Sequence, residues 1–143
     1  MIRHTVRALC AASLVIAPLA LSTPAHAVTC TVNGRTVTSQ NVDGTPGSDL
    51  IRCASVPEGH SVNGLGGNDR ITITNTVSGV VEGNAGYDYV TVGGEVTSTG
   101  RIRGNAGSDY LQVNVNNGVV NGGDGSDYCQ VGSGTGTVVN CEA

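Results

Sequence analysis

Five aspartates recur at nearly even intervals along this chain: Asp49, Asp69, Asp88, Asp109 and Asp127, with steps of 20, 19, 21 and 18 residues. Each closes the same phrase: an aliphatic residue, then Gly-x-x-Gly-x-Asp, then a second aliphatic two positions on. The phrases run from Val42 through Gly44, Gly47 and Asp49 to Ile51, and from Val62 through Gly64, Gly67 and Asp69 to Ile71. They continue from Val81 through Gly83, Gly86 and Asp88 to Val90, then from Ile102 through Gly104, Gly107 and Asp109 to Leu111. The fifth goes from Val120 through Gly122, Gly125 and Asp127 to Cys129, and a sixth starts at Val139 but puts Cys141 where the first glycine belongs. Carboxylates and the exposed carbonyls of glycine-rich turns are hard oxygen donors, suited to a cation such as Ca2+. A single Gly-x-x-Gly-x-Asp is an ordinary turn. Five copies in register are a repeat.

The residues around each phrase say what must position these aspartates. After each Asp, apolar residues alternate with others, as in Ile71 and Ile73, Val90 and Val92, or Leu111 and Val113. Alternation of period two marks a strand with one buried face. The aliphatic before each first glycine implies a second short strand. Each unit is then strand, turn, strand and a looser return, and it can bury its apolar face only against its neighbours. The fold expected is all-β: a parallel β-roll or β-helix solenoid of about five stacked turns of 18–21 residues.

Such stacking sets the five aspartates in a column about 4.8 Å apart. At an effective dielectric near 20, neighbouring carboxylates at that spacing repel by roughly 3–4 kcal/mol. A divalent cation between successive turns removes that repulsion; the rival expectation is a solvated acidic edge with no fixed ion.

Composition narrows the partners. Arg3 and Arg7 precede an apolar stretch, Ala8 to Leu21, and Ala25-His26-Ala27 offers a small-x-small cleavage pattern, so residues 1–27 read as a signal peptide and 28–143 as one secreted domain. No second apolar span follows, so no membrane contact is expected after cleavage. Beyond residue 27 only Arg35, Arg52, Arg70, Arg101 and Arg103 oppose eleven acidic residues, which argues against nucleic acid. The chain holds 22 glycines and no Phe or Trp, so its core must be thin. Cys30, Cys53, Cys129 and Cys141 form an even set in an exported chain, which favours two disulfides over a zinc site. Cys30 with Cys53, and Cys129 with Cys141, would staple one end of the stack each. The other pairings would have to join turns about four layers apart, roughly 19 Å, beyond a disulfide's reach of about 7 Å.

The loops resemble the RTX, or haemolysin-type, calcium-binding repeat Gly-Gly-x-Gly-x-Asp-x-U-x, in which U is a large aliphatic. The fifth copy, from Gly122 and Gly123 through Asp124, Gly125 and Asp127 to Gln130, matches throughout except for Cys129 at U. The others carry Thr45, Leu65, Asn84 and Asn105 at the second glycine. The resemblance implies Ca2+ as the bound ion and Asp49, Asp69, Asp88, Asp109 and Asp127 as side-chain ligands. It also implies loop ligands at Gly64, Gly67, Gly83, Gly86, Gly104, Gly107, Gly122, Asp124 and Gly125. Two departures limit it: only one half of each turn bears the motif, and turn length varies. A single ion column with at most four inter-turn sites is the expectation.

Tyr89, Tyr110 and Tyr128 follow the motif aspartates and should point outward as a ladder, with cross-strand packing favoured over glycan binding. Arg101 and Arg103 should face solvent near Glu82 or Glu95, and His60 should be a solvated turn residue. Catalysis would need a nucleophile with a base or a paired-carboxylate cleft, and His60 is the one histidine outside the signal segment, so the chain is expected to be non-enzymatic. The alternatives kept are a calcium-stabilised adhesin or glycan-binding module, and then a small polysaccharide-acting enzyme. An ice-binding surface comes last, since the loop flanks form no regular Thr or Asn lattice.

Overall fold

The computed structural model describes residues 27–142, so all but the last residue of the expected signal segment lies outside it. Thirteen strands are described. They begin with β1 (Val28–Val32), β2 (Arg35–Ser39), β3 (Asn41–Asp43), β4 (Leu50–Cys53), β5 (Ser61–Gly66) and β6 (Arg70–Ile73). β7 (Val80–Ala85), β8 (Tyr89–Val96), β9 (Arg101–Ala106) and β10 (Tyr110–Asn116) follow, then β11 (Val119–Asp124), β12 (Tyr128–Ser133) and β13 (Thr137–Val139). They form two sheets, in the orders β12-β10-β8-β6-β4-β1-β2 and β13-β11-β9-β7-β5-β3. Among β3 to β13 every pairing is parallel, between a strand and its counterpart one turn later, while β4 also pairs antiparallel with β1. The expected solenoid is the fold, with one strand per sheet in each turn.

The register follows from the aliphatic pattern. Ile51, Ile71, Val90 and Leu111 stack in one column that ends at Cys129. Val42, Val62, Val81, Ile102 and Val120 form the facing column and end at Val138. All nine residues before those ends are fully buried, whereas Val138 is 43% exposed because no described turn covers it. A corner column of Val56, Val77 and Val96 is continued by Asn116, which is buried too. Its amide donates to the Thr137 carbonyl at 3.1 Å and accepts the Gly118 N–H at 3.0 Å, so the polar replacement is fully bonded.

The first and third motif glycines have different reasons to lack a side chain. Gly86, Gly107 and Gly125 have φ of 139°, 142° and 131°, and a Cβ on each would overlap the carbonyl oxygen of the matching glycine one turn earlier. A Cβ on Gly64, Gly83 or Gly104 would instead overlap the carboxylate of its own loop's aspartate. At the second position the backbone also takes positive φ, near 80° at Leu65, Asn84 and Asn105. Asparagine tolerates that region, which is why the missing glycines at 84 and 105 cost the loops little. Leu65 bears the steric cost of that conformation.

Both disulfides pair as the stacking argument requires. Cys30 and Cys53 lie directly opposite on antiparallel β1 and β4, with Cα atoms 4.3 Å apart, and Cys129 joins Cys141 with Cα atoms 5.6 Å apart. Tyr89, Tyr110 and Tyr128 stack with centroids 4.8 and 5.2 Å apart, and the Arg70 guanidinium covers the free face of Tyr89 at 4.9 Å. Arg103 pairs with Glu82 at 3.0 Å, half-exposed and so of small energetic weight. His60 departs from expectation. It is buried, and its Nδ1 donates to the Glu58 carbonyl at 3.0 Å, in a tight turn closed by its own N–H on the Pro57 carbonyl.

Candidate metal centre

The five aspartates form one column, as in-register stacking demands, but they point inward. Their exposure is 2–4%, so the solvated acidic edge is not what the fold builds. Within the column each carboxylate reaches back one turn. The N–H of Asp49 donates to Asp69 Oδ1, that of Asp69 to Asp88 Oδ1, that of Asp88 to Asp109 Oδ1, and that of Asp109 to Asp127 Oδ1, all at 2.8 Å. These bonds use one lone-pair site per carboxylate and favour its ionised form.

The second oxygen of each is treated very differently. Oδ2 of Asp69, Asp88, Asp109 and Asp127 is buried with no hydrogen-bond donor. Its neighbours are acceptors as well: the space where Gly64 lacks a Cβ lies against both Asp69 Oδ2 and the Gly83 carbonyl oxygen. Gly104 shows the same with Asp109 and the Gly122 carbonyl, and Gly122 with Asp127 and the Asn140 carbonyl. Buried oxygens that face one another without a donor call for a proton, an ordered water or a cation between them.

Burial dominates the titration of the column. It pushes the Asp88 carboxyl up to about 6, against the opposing Asp69 N–H, with the charges of Asp109 and Asp69 adding to the rise. Asp69 and Asp109 are raised for the same first reason. A carboxyl whose folded pKa lies above its unfolded value of 3.8 binds more protons folded than unfolded between those pH values. The cation-free protein should therefore gain stability as pH falls from 7 towards 5, and lose it as pH rises through about 6. Melting curves in chelator at several pH values check this; a flat profile over that range contradicts it.

Asp49 heads the column and differs from the rest. Its Oδ2 accepts the Thr45 N–H at 2.5 Å and the Thr45 hydroxyl at 3.0 Å, and its Oδ1 accepts Asn33 Nδ2 at 2.5 Å. Asn33 sits with φ 51° beside Gly34 at 81°, the two-residue turn of the β1–β2 hairpin. Its Oδ1 also accepts the Leu50 N–H at 2.8 Å. The side chain thus supplies what a preceding turn supplies elsewhere. Sequence reasoning did not single it out, although Asn-Gly between Val32 and Arg35 is a strong hairpin signal. Asn33→Ala should cost about 1–3 kcal/mol through the groups it leaves unpaired. Denaturant midpoints measure the loss, and an unchanged midpoint would remove Asn33 from the cap.

The column is linear, so at most two of its carboxylates adjoin any one gap. Among the described residues no three His, Cys, Asp or Glu side chains gather as a metal cluster. The remaining donors at each gap have to be backbone carbonyls, which Gly83, Gly122 and Asn140 already present. Of the loop residues the RTX resemblance implicates, Gly64, Gly83, Gly104 and Gly122 lie against the aspartate carboxylates. Gly67, Gly86, Gly107 and Gly125 are engaged in turn-to-turn stacking, and exposed Asp124 flanks the last loop.

No protein family, curated protein or solved structure matches this chain. The RTX likeness therefore rests on the motif itself, and the parallel solenoid on the sheet topology.

Proposed function

We propose that this protein is a secreted, non-enzymatic calcium-binding solenoid in which Ca2+ is held between successive Gly-x-x-Gly-x-Asp loops and coupled to folding. The observation that carries the reading is the row of four buried, donor-less Oδ2 atoms on Asp69, Asp88, Asp109 and Asp127. Hard anionic and carbonyl oxygens with flexible spacing are the donor set that calcium prefers. When bound, Ca2+ supplies the positive charge that a buried carboxylate column lacks. The chain's own contribution is to hold the carboxylates in register through the Asp N–H to Oδ1 bonds, and to keep the first glycines free of side chains so that oxygens converge. Asp49, bonded to Asn33 and Thr45, closes the column rather than adding a further ion-facing oxygen.

Equilibrium dialysis with elemental analysis tests this at pH 7. Up to four calcium ions per chain are expected, with fewer in Asp109→Ala and an undiminished number in Asp49→Ala. Absence of bound calcium at millimolar concentration would refute the proposal.

A further inference from the structure

The outer face of the seven-stranded sheet carries a second feature, across the middle of its last three strands. A trough of about 340 Å3 crosses β8, β10 and β12, lined on its outward side by Thr91, Gly93, Gln112, Asn114, Gln130 and Gly132. It lies where Val92-Gly93-Gly94-Glu95 of β8 opposes Val113-Asn114-Val115 of β10, an extra residue that bulges β8 at its glycine pair and interrupts the flat surface. Its floor is backbone at Gly93 and Gly132, which must be glycine because a Cβ on either would press on the Thr74 or Asn114 carbonyl.

The tyrosine ladder acts on this trough from one side. Tyr110 Oη donates to Gln130 Oε1 at 2.9 Å, and Tyr89 Oη to Gln112 Oε1 at 3.4 Å. Those bonds hold the two carboxamides with their NH2 groups free. Among the described residues nothing bonds Gln112 Nε2, Gln130 Nε2, the Asn114 amide or the Thr91 hydroxyl. The trough therefore presents pre-oriented donors and acceptors on consecutive turns, repeating at the strand spacing of about 4.8 Å. Every lining side chain is uncharged, and the nearest basic group in the ladder, Arg70, is already stacked on Tyr89.

We propose that this trough binds a neutral linear oligosaccharide lying along the solenoid axis. The rise per sugar of a β-1,4-linked pyranose chain is close to one strand spacing, so successive sugars, alternately flipped, meet successive Thr, Gln or Asn side chains. Amide and hydroxyl groups beside the partly buried Val131 suit an uncharged ligand that is rich in hydroxyls and has apolar ring faces, as a largely apolar site with few placed polar groups does. A peptide adding a strand would extend the sheet at the free edge of β12 rather than lie across the trough, where β8 and β10 are paired on both sides. The ring faces of Tyr89 and Tyr110 are covered by Arg70 and by the neighbouring rings, so these two tyrosines position the amides, and Tyr128 alone keeps an open face. The trough does not involve the inward-facing aspartates, and the proposal is independent of calcium binding.

The test uses the whole chain, 15N-labelled and calcium-loaded, titrated with cellohexaose, mannohexaose and chitohexaose. Polygalacturonate and a polar ten-residue peptide serve as competitors. At least one neutral hexasaccharide should shift the side-chain amide resonances of Gln112, Asn114 and Gln130. Gln112→Ala with Gln130→Ala should weaken its binding at least about tenfold, or about 1.4 kcal/mol. If that double variant fails to fold, Asn114→Ala, whose side chain makes no internal bond, should still weaken binding several-fold. The proposal is overturned if no hexasaccharide moves these resonances, if binding survives both variants unchanged, or if the peptide or the charged polymer takes the trough in preference.

Discussion

Removing calcium at pH 7 should unfold or loosen most of this chain, and restoring it should return the full strand signal. The aliphatic core is only a few columns wide, built from Val, Ile and Leu with no Phe or Trp. Against it stand four buried carboxylate oxygens without donors. An ionised group so placed costs several kcal/mol even after relaxation. A domain of this size has only about 5–15 kcal/mol in hand, so a few such groups cancel its stability. A ligand that binds only the folded state adds about 4 kcal/mol per site when it exceeds its Kd a thousandfold. Circular dichroism and thermal melts in chelator and in millimolar calcium read this directly. The two disulfides remain in both conditions, so residual structure near β1–β4 and β12 is compatible with the expectation. Full strand content and an unshifted melt in chelator would contradict it.

The second large effect comes from replacing Asp69, Asp88, Asp109 and Asp127 together by asparagine. Each Oδ1 still accepts the N–H of the preceding turn, so the column keeps its register. Each donor-less Oδ2 becomes an NH2 that can donate to the carbonyls converging on the same space. The variant should fold in chelator, melt well above the wild-type protein in chelator, and show no response to calcium. Alanine at Asp88 differs, because it leaves the Asp69 N–H without its acceptor and should destabilise with or without the ion. A calcium-dependent asparagine variant, or one that unfolds in chelator, would show that the carboxylate column is not what links the ion to the fold.

Much of this architecture was legible in the sequence because a solenoid repeats its own evidence. The paired aliphatics around each loop fixed both inward columns, and the cysteine positions at the two ends fixed the disulfides by distance alone. The direction of the aspartates was not legible. Alternation places residues on faces of strands, whereas Asp49, Asp69, Asp88, Asp109 and Asp127 sit at the corner before a strand, where the turn geometry decides. The Asp N–H to Oδ1 bonds are likewise contacts between turns that no single phrase reveals. Asn33 escaped notice because its hairpin stands outside the repeat and pairs antiparallel with β4. His60 was misread because loop composition suggested solvent, while the corner it belongs to packs it inward. The trough was invisible for a different reason: it depends on the bulge in β8, and the Gly and Gln residues beside it carry no pattern until the strands are stacked.

The central claim is that a cation, and not a proton, occupies the space facing the donor-less aspartate oxygens at neutral pH. Infrared difference spectra with 13C-labelled aspartate carboxyls distinguish the two most directly. With calcium at pH 7 the column should show only ionised carboxylate bands, altered by the ion, and no protonated carboxyl signal. In chelator a protonated fraction should appear as falling pH restores the folded column, in which burial raises Asp88 to about 6. Identical aspartate spectra with calcium and with chelator across that pH range would contradict the account.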